Sequence, residues 1–70
     1  MQEYEIKHML IDAILAVQAD KGWTQMELAE KLGTHQSRIS IIVSRMEDVR
    51  LDTLVSYCAR LGLTLNVEVS

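Results

Sequence analysis

The stretch QMELAEKLGTHQSRISIIVSR, residues 25–45, has the pattern of two short helices joined by a tight turn. Leu28 and Leu32 lie four residues apart and therefore share one face of a helix. Ala29 beside them is small enough to let a second helix cross closely. Gly33 follows at once, and glycine adopts the left-handed conformation that ends many helices without a steric penalty. The pattern predicts a helix-turn-helix.

Capping signals place the ends of this motif. Thr24 precedes the first helix and Glu27 follows three residues later, which is the spacing of a capping box. The helix-turn-helix is therefore predicted over residues 24–45, with Thr34 as the cap of its second helix. The inward face of that second helix is predicted to carry four apolar residues at the spacing of one helical stripe. They are Ile39, Ile42, Val43 and Met46.

The opposite face of the second helix is polar and suits a polyanion. It combines short hydroxyl side chains, a glutamine and two arginines, and residues 35–45 contain no carboxylate. Glutamine pairs bidentately with adenine, arginine pairs with guanine, and an exposed branched residue such as Ile41 meets a thymine methyl group in the major groove. Double-stranded DNA is therefore the expected partner.

The segment TQMELAEKLGTHQSRIS, residues 24–40, resembles the Xre family, the relatives of Cro and the lambda repressor. The shared features are a glutamine at the helix start, an alanine, a glycine at the turn and an inward isoleucine. Residues 51–69, LDTLVSYCARLGLTLNVEV, are similar to the small single-domain branch that includes HigA-like antitoxins. The resemblance implies a mainly α, lambda-repressor-like helix-turn-helix domain.

In Xre-like proteins the start of the recognition helix reads the groove, and the glutamine that opens the preceding helix holds the DNA backbone. This implies Gln36 and Ser37 as readers and Gln25 as a backbone contact. Together with the outward face, the predicted base contacts are Gln36, Ser37, Arg38, Ser40 and Ile41. The predicted phosphate contacts are Gln25, Thr34, His35, Ser44 and Arg45. The apolar Ile41 departs from the usual polar choice at its position.

A first helix is predicted over residues 3–20. Its core stripe is Ile6, Leu10, Ala13, Ile14 and Val17. Met9, Ile11 and Leu15 broaden the apolar surface beyond what one neighbouring helix covers. Two interpretations follow: part of this helix faces a partner subunit, or the helix is wrapped completely by its own core.

The C-terminal part predicts a fourth helix and a strand. Leu51, Leu54, Val55, Cys58 and Leu61 recur at helical spacing, and Gly62 ends the helix. Residues 63–69, LTLNVEV, then alternate strictly between apolar and polar. This β-strand is expected to pair with its own copy in a dimer, through Leu63, Leu65, Val67 and Val69. A terminal tail, or a strand added to another protein's sheet, are the alternatives.

Length and charge set further limits. Seventy residues make a single domain, 1–70, that gains stability from oligomerisation. The net charge is −3, but residues 34–50 carry three arginines against two carboxylates. Modest non-specific affinity for DNA follows. The longest apolar run is too short to span a membrane, and the single Cys58 fits a reducing cytoplasm.

No enzyme, metal site or cofactor is expected, because His8, His35 and Cys58 lie on three separate segments without ligand spacing. The leading hypothesis is a DNA-binding transcriptional repressor that acts as a homodimer on an inverted-repeat operator. The alternative is an antitoxin that neutralises a ribonuclease toxin docked on its folded surface, with autoregulatory DNA binding as a secondary role. An orphan phage-like repressor would differ only in genomic context.

Overall fold

Four helices form the part of the chain that the computed structural model describes, residues 2–45 and 48–63. They are α1 (Glu3–Lys21), α2 (Gln25–Leu32), α3 (Gln36–Ser44) and α4 (Leu51–Arg60). The first helix packs against α4, and α2 packs against both α3 and α4. The predicted mainly helical fold with four helices is confirmed. Of the predicted C-terminal strand, every residue after Leu63 lies outside the described residues.

Three helices end in the same hydrogen-bonded motif, and each ends at a glycine with positive φ. At Gly33, where φ is +72°, the glycine N–H donates to the Glu30 carbonyl, and the Thr34 N–H donates to the Ala29 carbonyl at 2.9 Å. This pair of bonds satisfies carbonyl groups that the end of a helix otherwise leaves without partners. Equivalent pairs close α1 at Gly22 and α4 at Gly62. The predicted helix stops are confirmed.

The helix starts are less uniform. The capping box is confirmed: the Glu27 N–H donates to Thr24 Oγ1 at 3.1 Å, and the Thr24 N–H donates to Glu27 Oε1 at 3.3 Å. The prediction that Thr34 caps α3 was wrong, since the N-cap is His35 and no side chain caps that helix. The reason is that α3 begins at Gln36, so Thr34 lies one residue before the N-cap position, and its backbone N–H belongs to the motif that ends α2.

The core lies where all four helices meet. Its fully covered members come from every helix and from the segment before α4: Leu10, Ile11, Ile14, Leu28, Ala29, Leu32, Ile39, Ile42, Val49, Leu54 and Cys58. Two of them were unexpected. Ile11 was predicted outside the stripe of α1, and Val49 sits in a stretch that reads as a polar loop. Both lie under neighbouring elements that the local sequence does not reveal.

Cys58 joins α1 to α4. Its side chain is buried, and Sγ lies 3.9 Å from the Leu10 carbonyl oxygen, to which the thiol donates a weak hydrogen bond. Burial raises the pKa of the Cys58 thiol, because the desolvated thiolate is disfavoured. The thiol therefore stays protonated in the folded chain at neutral pH. The interpretation of Cys58 as a small core residue is confirmed.

The capping box generates the first prediction. Thr24→Ala should lower the free energy of unfolding by about 1 kcal/mol, because an N-terminal backbone donor of α2 loses its partner. Thr34→Ala is the matched control, since the Thr34 side chain caps no helix. Urea unfolding followed by circular dichroism measures both variants. An equal loss of unfolding free energy in Thr24→Ala and Thr34→Ala would contradict the capping role of Thr24.

Candidate nucleic-acid interface

The packing of α2 on α3 sets the direction of the predicted recognition helix. Leu28 and Leu32 of α2 are buried together with Ile39 and Ile42 of α3. Ala29, also buried, has only a methyl group and therefore permits the close crossing of the two helices. Since two isoleucines fix the inward side of α3, the opposite side of the helix is turned away from the core.

The exposed stripe of α3 is formed by residues that lie four apart, Gln36, Ser40 and Ser44, with Ser37 beside them. All four were predicted to face DNA, and the structure leaves all four exposed on one helix surface. The Ser44 hydroxyl donates to the Ser40 carbonyl oxygen at 2.7 Å. Ser44 would therefore have to give up that bond before its hydroxyl could donate to a phosphate oxygen.

The first turn of α3 presents open backbone donors. The N–H groups of Arg38 and Ile39 donate to the His35 carbonyl oxygen, whereas those of Gln36 and Ser37 have no acceptor among the described residues. The N-terminus of a helix carries a partial positive charge, and no acidic residue lies in this turn to neutralise it. The predicted contacts His35, Gln36 and Ser37 therefore lie at the end of the helix that attracts phosphate.

The covered face of α3 differs from the prediction. Val43, predicted to point inward, is 50% exposed, whereas Ile41, predicted to be exposed, is half-buried and packs against the core. Arg38 is half-buried as well. The covered face is therefore rotated toward Arg38 and Ile41, because neighbouring elements cover one flank of α3 more than the other. Met46, the fourth predicted inward residue, lies outside the described residues.

The predicted phosphate contacts are distributed over both helices of the motif. Gln25 is the exposed first residue of α2, His35 is exposed at the start of α3, and Arg45 is exposed at its end. Thr34 is half-buried in the turn between the helices. These residues lie before, between and after the two helices, as backbone contacts that flank a groove would require.

Trp23 anchors the start of α2. Its ring is half-buried against the core, and Lys31 Nζ lies 5.6 Å from the ring centroid, within cation–π range. The side-chain amide of Gln18 donates to the Trp23 carbonyl oxygen at 3.2 Å, which ties this residue to α1. Trp23 is therefore a structural residue at the start of α2, in the position where an apolar residue commonly precedes a capped helix.

One cation near the motif was not predicted there. Arg60, the last residue of α4, places Nη1 3.0 Å from the position that a Cβ atom on Gly33 would occupy. Helical spacing places Arg60 outside the inward stripe of α4, on a surface open to solvent or to a partner. No local signal could have revealed this contact, because residues 33 and 60 meet only through the packing of α4 on α2.

Leu63 has a different environment from the one predicted for a dimerisation residue. It is half-buried against the core of its own chain, and its N–H donates to the Cys58 carbonyl oxygen at 3.0 Å. An apolar residue in this position commonly packs against the last turn of the helix that it follows. The other predicted dimerisation residues, Leu65, Val67 and Val69, lie outside the described residues.

Residues 1–70 match the model of a family described as a helix-turn-helix domain. The chain belongs to this helix-turn-helix family. No curated protein and no solved structure matched the chain. A helix-turn-helix places its second helix in the major groove of DNA. The family and the polar surface of α3 thus assign sequence-specific DNA binding, with a regulatory role, to this chain. Within residues 2–45 and 48–63, no helix is long and apolar enough to cross a membrane.

The rotated face of α3 generates the second prediction. Ile42→Ala should lower the free energy of unfolding by about 2–5 kcal/mol, because it leaves a cavity in the core. Val43→Ala, its neighbour in the same helix, should change that free energy by less than about 0.5 kcal/mol. Urea denaturation of the two variants measures both changes. A loss at Val43 as large as that at Ile42 would restore the inward face predicted from the sequence.

Proposed function

We propose that the chain is a transcriptional repressor of the Xre type, acting in the cytoplasm as a homodimer on an inverted-repeat operator. One observation carries this proposal: α3 exposes a stripe of glutamine and serine side chains in a stretch of eleven residues without a carboxylate, residues 35–45. Such a surface can enter the major groove without repelling phosphate, and it brings both donors and acceptors to the base edges.

The exposure of each side chain supports a division of roles within the motif. Gln36, Ser37 and Ser40 are exposed in the first half of α3, where the helix meets base edges. Half-buried Arg38 and Ile41 occupy the edge of that surface, so they read bases at its margin. Gln25, Thr34, His35, Ser44 and Arg45 are assigned to the phosphates on either side.

The charge of the chain supports selective binding. Non-specific affinity for DNA comes mainly from the neutralisation of phosphates by lysine and arginine. With a net charge of −3, the chain has little of that affinity, and most of its binding energy must come from the operator sequence itself. A regulator of this kind would release non-specific DNA readily at moderate salt.

The operator can be found directly. Selection of bound duplexes from a random-sequence pool, followed by sequencing, should yield an inverted repeat, because a two-fold dimer presents two copies of α3 to successive major grooves about 34 Å apart. A pool that remains random after repeated rounds would contradict sequence-specific binding. A half-site without a repeat would contradict the dimer and leave the DNA-binding role intact.

The third prediction separates base contacts from phosphate contacts. Gln36→Ala and Arg38→Ala should each cost about 1–3 kcal/mol of binding free energy at one base pair of the selected duplex and relax the preference there. Arg45→Ala should weaken all duplexes similarly and reduce the slope of log affinity against log salt by about 0.9.

Titration of matched and mismatched duplexes at several salt concentrations makes this comparison, and the fluorescence of the single tryptophan, Trp23, offers a readout beside α2. The assignment is wrong if Arg45→Ala changes base preference while Arg38→Ala leaves it unchanged.

The dimer is assigned to the alternating segment 63–69. A strand needs a partner for its backbone N–H and C=O groups, and a second copy of the same strand is the simplest one. Since Leu63 packs on its own core, the part of the segment that can serve the partner is 64–69. Pairing there would bury apolar side chains of both copies and stabilise a small domain.

The fourth prediction tests this segment. Deletion of residues 64–70, which retains Leu63, should convert a dimer into a monomer with a lower melting temperature and much weaker binding to the selected duplex. Val67→Pro, which removes one backbone donor, should act in the same direction, with Val67→Thr as the control that keeps the donor. Sedimentation equilibrium gives the oligomeric state. A truncated chain that remains a dimer would move the interface to another surface.

An antitoxin is the second candidate function, and it is supported by the surface of α1. Tyr4 and Met9 on this helix are 60% and 57% exposed and would be available to a toxin docked on the folded surface. A gene for a ribonuclease toxin beside the gene for this chain would favour the antitoxin, and the absence of such a gene would favour an orphan repressor.

Catalysis is not proposed. The Cys58 thiol is buried, whereas His8 is exposed and its Nδ1 lies 3.0 Å from Asp12 Oδ2.

A further inference from the structure

Arg60 lies over the turn that joins α2 to α3. It is the last residue of α4, and its guanidinium group covers the open side of Gly33: Nη1 and Cζ lie 3.0 and 3.2 Å from the position of a Cβ atom on that glycine. A Cβ atom at position 33 would require the guanidinium to shift by a few tenths of an ångström. The positive φ is the stronger reason for a glycine here.

The guanidinium retains donors for an anion. The ion pairs within residues 2–45 and 48–63 are His8–Asp12 and Arg50–Asp52, so none of the described carboxylates lies within 4.0 Å of Arg60. The guanidinium adjoins Gly33, and residues 33–45, which begin at that glycine, contain no carboxylate. A guanidinium group has five N–H donors in a fork that matches the oxygens of a phosphate.

We propose that Arg60 is a DNA phosphate contact, which α4 contributes to the helix-turn-helix; this inference rests on the proposed DNA binding. Gly33 lies two residues before His35, the N-cap of α3. With about 3.8 Å between successive Cα atoms, the guanidinium lies within roughly 12 Å of the Cα atom of His35, the residue before α3. The major groove that receives α3 is about 12 Å wide, and phosphates line both of its edges. A cation at this distance from the start of the recognition helix can therefore reach a phosphate that borders the groove.

A purely structural role makes different predictions. The C-terminus of α2 carries a partial negative charge, and a cation near it stabilises the helix without any part in DNA binding. In that case the loss of Arg60 would lower the melting temperature and leave the salt dependence of DNA binding unchanged. A phosphate contact would change the salt dependence, because each neutralised phosphate releases condensed counterions.

The decisive variant is Arg60→Gln, which removes the charge and retains polar donors. Arg60→Met keeps the aliphatic stem and serves as a second uncharged variant if the first does not fold. Arg60→Lys keeps the charge. The matched control is Lys7→Gln. Lys7 lines a surface with one other cation, Arg50, and with three carboxylates, Glu3, Asp48 and Asp52, so this surface carries a net negative charge that does not favour phosphate.

The experiment is a titration of the full chain and its variants with the duplex selected by the wild type, and with a scrambled duplex of the same composition, from 50 to 200 mM salt. Arg60→Gln should reduce the slope of log affinity against log salt by about 0.9. The ratio of wild-type to variant affinity should therefore be about 3.5 times larger at 50 mM than at 200 mM salt. The deficit should be the same for both duplexes, since a phosphate contact carries no sequence information. Arg60→Lys and Lys7→Gln should retain the wild-type slope.

Thermal unfolding of the same variants completes the test. A reduced slope at a temperature where the variant is fully folded supports the phosphate contact, whatever the change in melting temperature. An unchanged slope for Arg60→Gln overturns it, as does a reduction of the same size for Lys7→Gln. If the wild type itself binds no duplex, the proposed DNA binding fails and the Arg60 contact fails with it. If the wild type binds and Arg60→Gln binds identically, only the role of Arg60 is wrong.

Discussion

The left-handed conformation of Gly33 is the constraint on which the rest of the structure depends. At a φ of +72° the chain reverses after α2, and the N–H groups of Gly33 and Thr34 close that helix before α3 begins. A residue with a Cβ atom would cost about 1–2 kcal/mol in this conformation. The turn also directs Ile39 and Ile42 onto Leu28 and Leu32, so the orientation of the recognition helix follows from one backbone conformation.

Helix ends could be predicted from the sequence because their causes are local. Gly22, Gly33 and Gly62 each follow the last helical turn by one or two residues, and a glycine can supply positive φ wherever it occurs. The capping box depends only on Thr24 and Glu27, three residues apart. The error at Thr34 arose because the motif that ends α2 extends through Thr34, so α3 begins only at Gln36 and its N-cap position falls on His35.

Side-chain burial was less predictable where the helix is short. Over the nine residues of α3, periodicity identifies the centre of the inward face at Ile39 and Ile42, and both are buried. Periodicity cannot predict the burial of residues on either side of that face, because this depends on which neighbouring element covers them. Ile41 on one side is half-buried, and Val43 on the other side is exposed. Val49 and Arg60 were missed for the same reason. Each acquires its role from an element distant in sequence, so the polar stripe of α3 was predictable while the position of Arg60 was not.

An acidic chain can still bind a polyanion when its charges are separated. The carboxylates of residues 1–33 outnumber the lysines six to three, and most of them lie on the outer surface of α1 and along α2. The turn and α3 carry cations without a carboxylate, and Arg60 adds one more from α4. At physiological ionic strength, exposed charges more than about 8 Å apart are largely screened. The local field at α3 is therefore set mainly by Arg38 within the helix and Arg45 at its end, and Arg60 acts beside the turn at Gly33. The more distant carboxylates lower the non-specific affinity of the chain for DNA. The net charge of the chain thus governs its non-specific affinity for DNA, whereas the surface of α3 governs its preference for one sequence over another.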